Sequence, residues 1–182
     1  KKEEKDYQVL DEMPFYFNGA GYVNKHRDAL FLYEESSGKL TRVTKEAFST
    51  GSAHLSPDGK QVLFTGQSYT VKRKNKSGVY VYDRETGRTT ELLKPRAYDL
   101  YDALWWGEKI LLLATDGKRY GLNENAQFYT LNPASGEVAL LAPYEDALGS
   151  SVGSDCRLGG GREWVQEGDK LYFVTTLGGA SQ

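Results

Sequence analysis

Residues 79–93 read Val79-Tyr80-Val81-Tyr82-Asp83-Arg84-Glu85-Thr86-Gly87-Arg88-Thr89-Thr90-Glu91-Leu92-Leu93. β-Branched and aromatic residues lead into Thr-Gly, and a second strand-like run leads out of it. That is the pattern of two strands joined by a tight turn whose glycine takes a positive φ. The pattern recurs on either side, in residues 30–43 (LFLYEESSGKLTRV) and 128–141 (FYTLNPASGEVALL). Its pivotal glycines, Gly38, Gly87 and Gly136, are 49 residues apart at both steps.

A second motif interleaves with the first, in residues 53–66 (AHLSPDGKQVLFTG), 103–114 (ALWWGEKILLLA) and 163–176 (EWVQEGDKLYFVTT). Gly59, Gly107 and Gly168 align it, with steps of 48 and 61 residues. The longer step reads as a Gly- and Ser-rich insertion, residues 146–162, expected as a loop just before the strand. In Ser56-Pro57-Asp58-Gly59, Pro57 presets φ for a turn and Gly59 can restart the return strand. Ile110-Leu111-Leu112-Leu113-Ala114 and Leu171-Tyr172-Phe173-Val174 are continuously apolar, as strands are when both faces of their sheet are covered. No stretch carries a helical period.

Four short strands per 40–50 residues, covered on both faces, describe a β-propeller blade. One blade is expected to place its strands at 53–55, 61–65, 78–83 and 88–93. The next follows at 103–106, 109–115, 127–131 and 137–141. A preceding blade ends near Thr44 with its first strands inside 15–23, and two more strands are expected at 162–166 and 170–176. The fold class expected is therefore all-β, a partial propeller of about 3.7 four-stranded antiparallel blades from a ring of about 7–8. The blades fall at 7–46, 47–96 and 97–143, with a partial one at 144–182. A β-sandwich with accidental spacing is the alternative.

Composition narrows the function. The 182 residues suit one domain, and 23 Lys and Arg against 25 Asp and Glu leave a net charge of −2. No basic excess marks a nucleic-acid or anionic-membrane partner, and neither is expected. No apolar run reaches the roughly 18 residues of a membrane-spanning helix. The only methionine is Met13 and the first residues are charged, so no signal peptide is visible and the chain is expected to derive from a longer protein. Cys156 alone makes no internal disulfide, which suits the cytoplasmic location expected here. With His26 and His54 it offers no zinc spacing, and neither metal nor cofactor is expected.

Three stretches resemble the propeller of the prolyl oligopeptidase family of serine peptidases, nearest its acylaminoacyl-peptidase and dipeptidyl-peptidase-like branch. They are Pro14-Phe15-Tyr16-Phe17-Asn18-Gly19-Ala20-Gly21-Tyr22 with the strands through Thr44, Leu55-Ser56-Pro57-Asp58-Gly59-Lys60, and Val79-Tyr80-Val81-Tyr82-Asp83 with Thr86-Gly87. Ser-Pro-Asp-Gly-Lys is common to many propellers, whereas the Pro-Phe-Tyr-Phe-Asn-Gly stretch points to the peptidase branch. Leu55 stands where such repeats usually carry Trp, a position expected in the core. The resemblance implies a propeller seated on an α/β-hydrolase domain that carries Ser, Asp and His, filtering oligopeptides by size.

No catalytic residue is expected in the chain itself. Gly149-Ser150-Ser151-Val152-Gly153 has the spelling of a nucleophile elbow, but no histidine follows His54 and the sequence after it is Gly-rich rather than helical. Asn18-Gly19-Ala20-Gly21 fails the dinucleotide pattern at Asn24 and reads as a tight turn. Gly159-Gly160-Gly161 reads as loop, with an anion-binding nest as the alternative. Lys72-Arg73-Lys74-Asn75-Lys76 reads as a solvated loop, with contact to another domain or an acidic substrate as the alternative. Trp105-Trp106 is expected to pack between blades. Glu163, Trp164 and Glu167 are the candidate substrate-binding residues, because the stretch is similar to the acidic-Trp-x-x-Glu element with which dipeptidyl-peptidases hold a free amino terminus. Gly168 departs from that element, where a second Glu would stand.

The leading expectation is a non-catalytic propeller segment that gates and positions oligopeptide substrates for a hydrolase domain of the same parent protein. A stand-alone propeller serving as a binding module is the competing reading. A propeller enzyme with a metal in its central channel finds no clustered ligands in the sequence. An open part-ring exposes apolar faces, so the isolated segment is expected to self-associate.

Overall fold

Local turn chemistry fixes the hairpins. Gly59 (φ 71°) donates its N–H to the Ser56 carbonyl at 2.9 Å, while Asp58 accepts from Ser56 Oγ at 2.6 Å and from the Lys60 N–H at 3.1 Å. At the 49-residue repeat, the Asp83 carboxylate accepts from the Glu85 and Thr86 N–H groups, and Gly87 (φ 68°) donates to the Asp83 carbonyl. Asn132 does the same for Ala134, Ser135 and Gly136 (φ 72°). An Asx side chain and a left-handed glycine thus build one turn twice, which is why those glycines keep their spacing.

The computed structural model describes residues 7, 9–149, 164–177 and 180–181. Strands β1 (Tyr16–Phe17) and β2 (Gly21–Tyr22) form a hairpin, as do β3 (Phe31–Glu34) and β4 (Lys39–Arg42). Strands β5 (Phe48–Leu55), β6 (Gln61–Ser68), β7 (Gly78–Asp83) and β8 (Thr89–Leu93) make a four-stranded antiparallel sheet in chain order. Strands β9 (Asp99–Trp106), β10 (Lys109–Thr115), β11 (Gln127–Leu131) and β12 (Val138–Ala142) make a second. Beyond them β14 (Trp164–Glu167) pairs with β15 (Lys170–Phe173). Strands β13 (Ala147–Leu148), β16 (Thr175–Leu177) and β17 (Ala180–Ser181) form a three-stranded sheet in the order β13-β16-β17. The one helical element among the described residues is a 3-10 turn, Gly121–Asn123, in the β10–β11 connection. No helix is long and apolar enough to cross a membrane among those residues.

The strands stack face to face. Leu63, Val79 and Val81 of the first four-stranded sheet meet Ala103, Ile110, Leu112 and Leu131 of the second. The far face of the second sheet sets Leu111, Leu113 and Phe128 against Trp164, Leu171 and Phe173. The far face of the first sets Phe48, Phe64 and Tyr82 against Leu30, Leu32 and Val43 around the β3–β4 hairpin. Adjacent residues of β10 therefore enter different cores, which accounts for its unbroken apolar run.

Three expectations are corrected. Among the described residues, 7–46 do not give one four-stranded sheet: β1 pairs only with β2, and β3 only with β4, so two hairpins stand there. Leu55 is 55% exposed rather than in the core, because it lies on the face of β5 turned from the second four-stranded sheet, where the β3–β4 hairpin covers Phe48 and Phe64 instead. Part of the insertion expected as a loop is itself paired, because Ala147–Leu148 form β13 against β16. Leu148 pairs with Thr175, and Trp164 pairs with Phe173, two residues earlier on the same return run, while the Gly149 N–H donates to the Val174 carbonyl between them at 2.8 Å. In the first sheet the pairing of β5 with β6 breaks register between Thr50 and Ala53, across Gly51 and Ser52.

Candidate functional site

In each four-stranded sheet the first strand forms one edge and the fourth the other. The first-strand edge is the one that lines the central channel of a propeller. Here the first strands of the two four-stranded sheets, β5 and β9, and β14 of the neighbouring hairpin are tied together through Asp102, in the middle of β9. His54 Nε2, on β5, lies 2.8 Å from Asp102 Oδ1, and Trp164 Nε1, on β14, donates to Asp102 Oδ2 at 3.0 Å. The Ala103 N–H donates to Oδ1 at 2.8 Å, and Trp105 Nε1 donates back to the His54 carbonyl at 3.3 Å.

Asp102 is 5% exposed. Burial alone would raise its carboxyl. Hydrogen bonds from His54 and Ser52, the His54 charge and the Ala103 N–H outweigh that and hold it below its ordinary value. Ser52, His54 and Asp102 thus come together without forming a catalytic relay. Serine and histidine both serve the carboxylate, whereas nucleophilic catalysis needs the histidine between the other two. The arrangement is suited to fixing three neighbouring strands at one level.

Of the sequence candidates, Trp164 joins this cluster and Glu167 does not. Glu167 is exposed and pairs in register with Lys170 across the Gly168-Asp169 turn. Glu163, Cys156, Gly159-Gly160-Gly161 and residues 150–153 lie outside the described residues. Trp105 and Trp106 pack between sheets on opposite faces of β9, as expected. Asn18-Gly19-Ala20-Gly21 forms the tight β1–β2 turn, with Gly19 at φ 85° and Gly21 at φ 73°. The basic run 72–76 lies in the β6–β7 loop, with Lys72, Arg73 and Lys74 exposed.

Sequence reasoning missed Asp102 and His54. Two signals were present: a carboxylate set in the apolar strand Asp102-Ala103-Leu104-Trp105-Trp106, and a histidine 48 residues before it, the same step that separates Gly59 from Gly107. Residues one repeat apart fall at matching places on neighbouring strands.

In fold the chain is similar to Pyrococcus horikoshii acylaminoacyl peptidase, with a TM-score of 0.59 and 16% identity over 96% of this chain and 25% of that one. It is similar to an oligogalacturonate lyase in complex with manganese, with a TM-score of 0.58 and 19% identity over 86% and 40%. It is also similar to TolB from Acinetobacter baumannii, with a TM-score of 0.54 and 18% identity over 84% and 33%. The chain spans 25–40% of the length of these three proteins, and the likeness establishes a shared fold. No family model and no curated protein matches the sequence.

Proposed function

We propose that the chain is a non-catalytic segment of a seven- or eight-bladed propeller that admits and positions oligopeptides for a serine peptidase of the prolyl oligopeptidase type. The hydrolase domain belongs to the same parent protein, outside this chain. The observation that carries the reading is the locking of β5, β9 and β14 together through Asp102, in a fold shared with an acylaminoacyl peptidase over 96% of this chain. The Pro14–Tyr22 stretch, which resembles the peptidase branch, supports it further. In this reading 47–96 and 97–143 are blades, 7–46 supplies two hairpins to the blade before them, 144–182 is part of the blade after them, and the protein acts in the cytoplasm. Glu163, Trp164 and Glu167 meet the amino-terminal part of the peptide.

The test is hydrolysis by the full-length parent protein of peptides with free and blocked amino termini, with and without a serine-directed inhibitor. Inhibitor-sensitive cleavage is expected, and Glu167→Gln is expected to narrow the preference between the two amino termini. A second reading is a stand-alone propeller that serves as a binding module, and the comparable likeness to TolB, which is not named as a peptidase, supports it. It predicts no inhibitor-sensitive cleavage.

The segment reading has a consequence for the chain alone. Phe31, Tyr33 and Leu40 on the β3–β4 hairpin, and Val165 and Tyr172 on β14–β15, are between 47% and 62% exposed. Apolar faces of this kind associate. Sedimentation of the 182-residue chain is expected to show species larger than a monomer that grow with concentration. A clean monomer at high concentration would instead favour a compact, closed arrangement.

A further inference from the structure

A cavity of about 520 Å³ opens where β5 and β9 begin and β6 ends, between the two four-stranded sheets. That volume lies in the range of small-molecule sites. It is lined by Ser49 and Gln67, both buried, by Asp99, by Arg73 and Lys74 of the β6–β7 loop, and by the exposed Phe17.

The loop is held in shape. Gln67 accepts from the Lys74 N–H at 3.1 Å and donates to the Lys74 carbonyl, and the Arg73 N–H donates to the Met13 carbonyl at 2.8 Å. The Ser77 N–H donates to the Tyr98 carbonyl at 3.0 Å, and Lys76 Nζ to the Asp116 carbonyl at 2.9 Å. These bonds engage the loop backbone and Lys76 but leave two cations over. Among the described residues, neither the Arg73 guanidinium nor the Lys74 ammonium has a hydrogen-bond or ion-pair partner, and the Asp99 carboxylate has none either. Burial raises the Asp99 carboxyl, against the attraction of the Lys76 and Arg73 charges. A half-buried carboxylate without a donor is costly, and it repels a simple anion that the two cations would otherwise attract. A ligand bearing charges of both signs satisfies every group.

We propose that this cavity binds a short zwitterionic peptide, its ammonium on Asp99, its carboxylate on Arg73 and Lys74, and an apolar side chain against Phe17. The site needs no hydrolase domain and goes beyond the peptidase reading. Calorimetric titration of the 182-residue chain with the dipeptide Ala-Phe, its N-acetyl form and its C-terminal amide tests it. Ala-Phe is expected to bind saturably, and each blocked form at least tenfold more weakly. Asp99→Asn is expected to erase the difference between free and acetylated dipeptide. Arg73→Gln with Lys74→Gln is expected to erase the difference between acid and amide. Equal affinity for all three ligands, or no saturable binding of Ala-Phe up to about 10 mM, a concentration that would reveal even millimolar affinity, would overturn the proposal. The wild-type comparison stands even if a variant fails to fold, and its outcome is separate from that of the peptide-hydrolysis assay.

Discussion

Leu112→Ala is expected to destabilise the chain by about 2–5 kcal/mol, the range for a large aliphatic side chain removed from a closed core. Leu112 is 0% exposed and packs with Leu63, Val79 and Val81 of the first four-stranded sheet. Leu111, also 0% exposed, faces the other way, toward Leu171, Phe173 and Trp164. The two variants should therefore cost similar amounts but loosen different places. Hydrogen exchange should accelerate first in β6 and β7 for Leu112→Ala, and first in β14 and β15 for Leu111→Ala. Identical exchange patterns, or a cost below about 1 kcal/mol for either, would mean that β10 is not covered on both faces.

Asp102→Ala is expected to cost about 3 kcal/mol, because one truncation strips the acceptor from His54, Trp164 and the buried Ala103 N–H together. The carboxylate also predicts an acid limb. Its folded-state pKa is held below the ordinary value of 3.8, so its contribution is complete above that value and is lost as pH falls through the depressed one. Glu12, held low chiefly by Arg27, and Glu124, held low chiefly by the Thr115 hydroxyl, add to the same limb. Urea midpoints measured from pH 7 downward should show wild type above Asp102→Asn at neutral pH, with the gap closing in acid. Parallel curves would remove Asp102 from the coupling.

Much of the stack was legible because its signals are local. The Asp83 and Asn132 turns need an Asx side chain and a left-handed glycine, and those needs write the 49-residue spacing directly into the sequence. Expected strands 61–65, 78–83, 109–115 and 127–131 lie within or coincide with β6, β7, β10 and β11. What stayed hidden depends on neighbours distant in the chain. Whether β1–β2 would join β3–β4 is a question of pairing between hairpins, which no turn residue encodes. The exposure of Leu55 depends on which hairpin covers its sheet and how far along. The Asp102 cluster joins residues 48 and 62 positions apart, and only the matching repeat step hints at the first of those contacts.

The central claim, a propeller segment that controls oligopeptide access to a serine peptidase, is tested most directly by a length series. The full-length parent protein would be offered peptides from a few residues upward and then a folded protein, each with and without a serine-directed inhibitor. The account predicts inhibitor-sensitive cleavage of short peptides that falls away with length and spares the folded protein. Absence of inhibitor-sensitive cleavage at every length, or equal cleavage at all lengths, would contradict it.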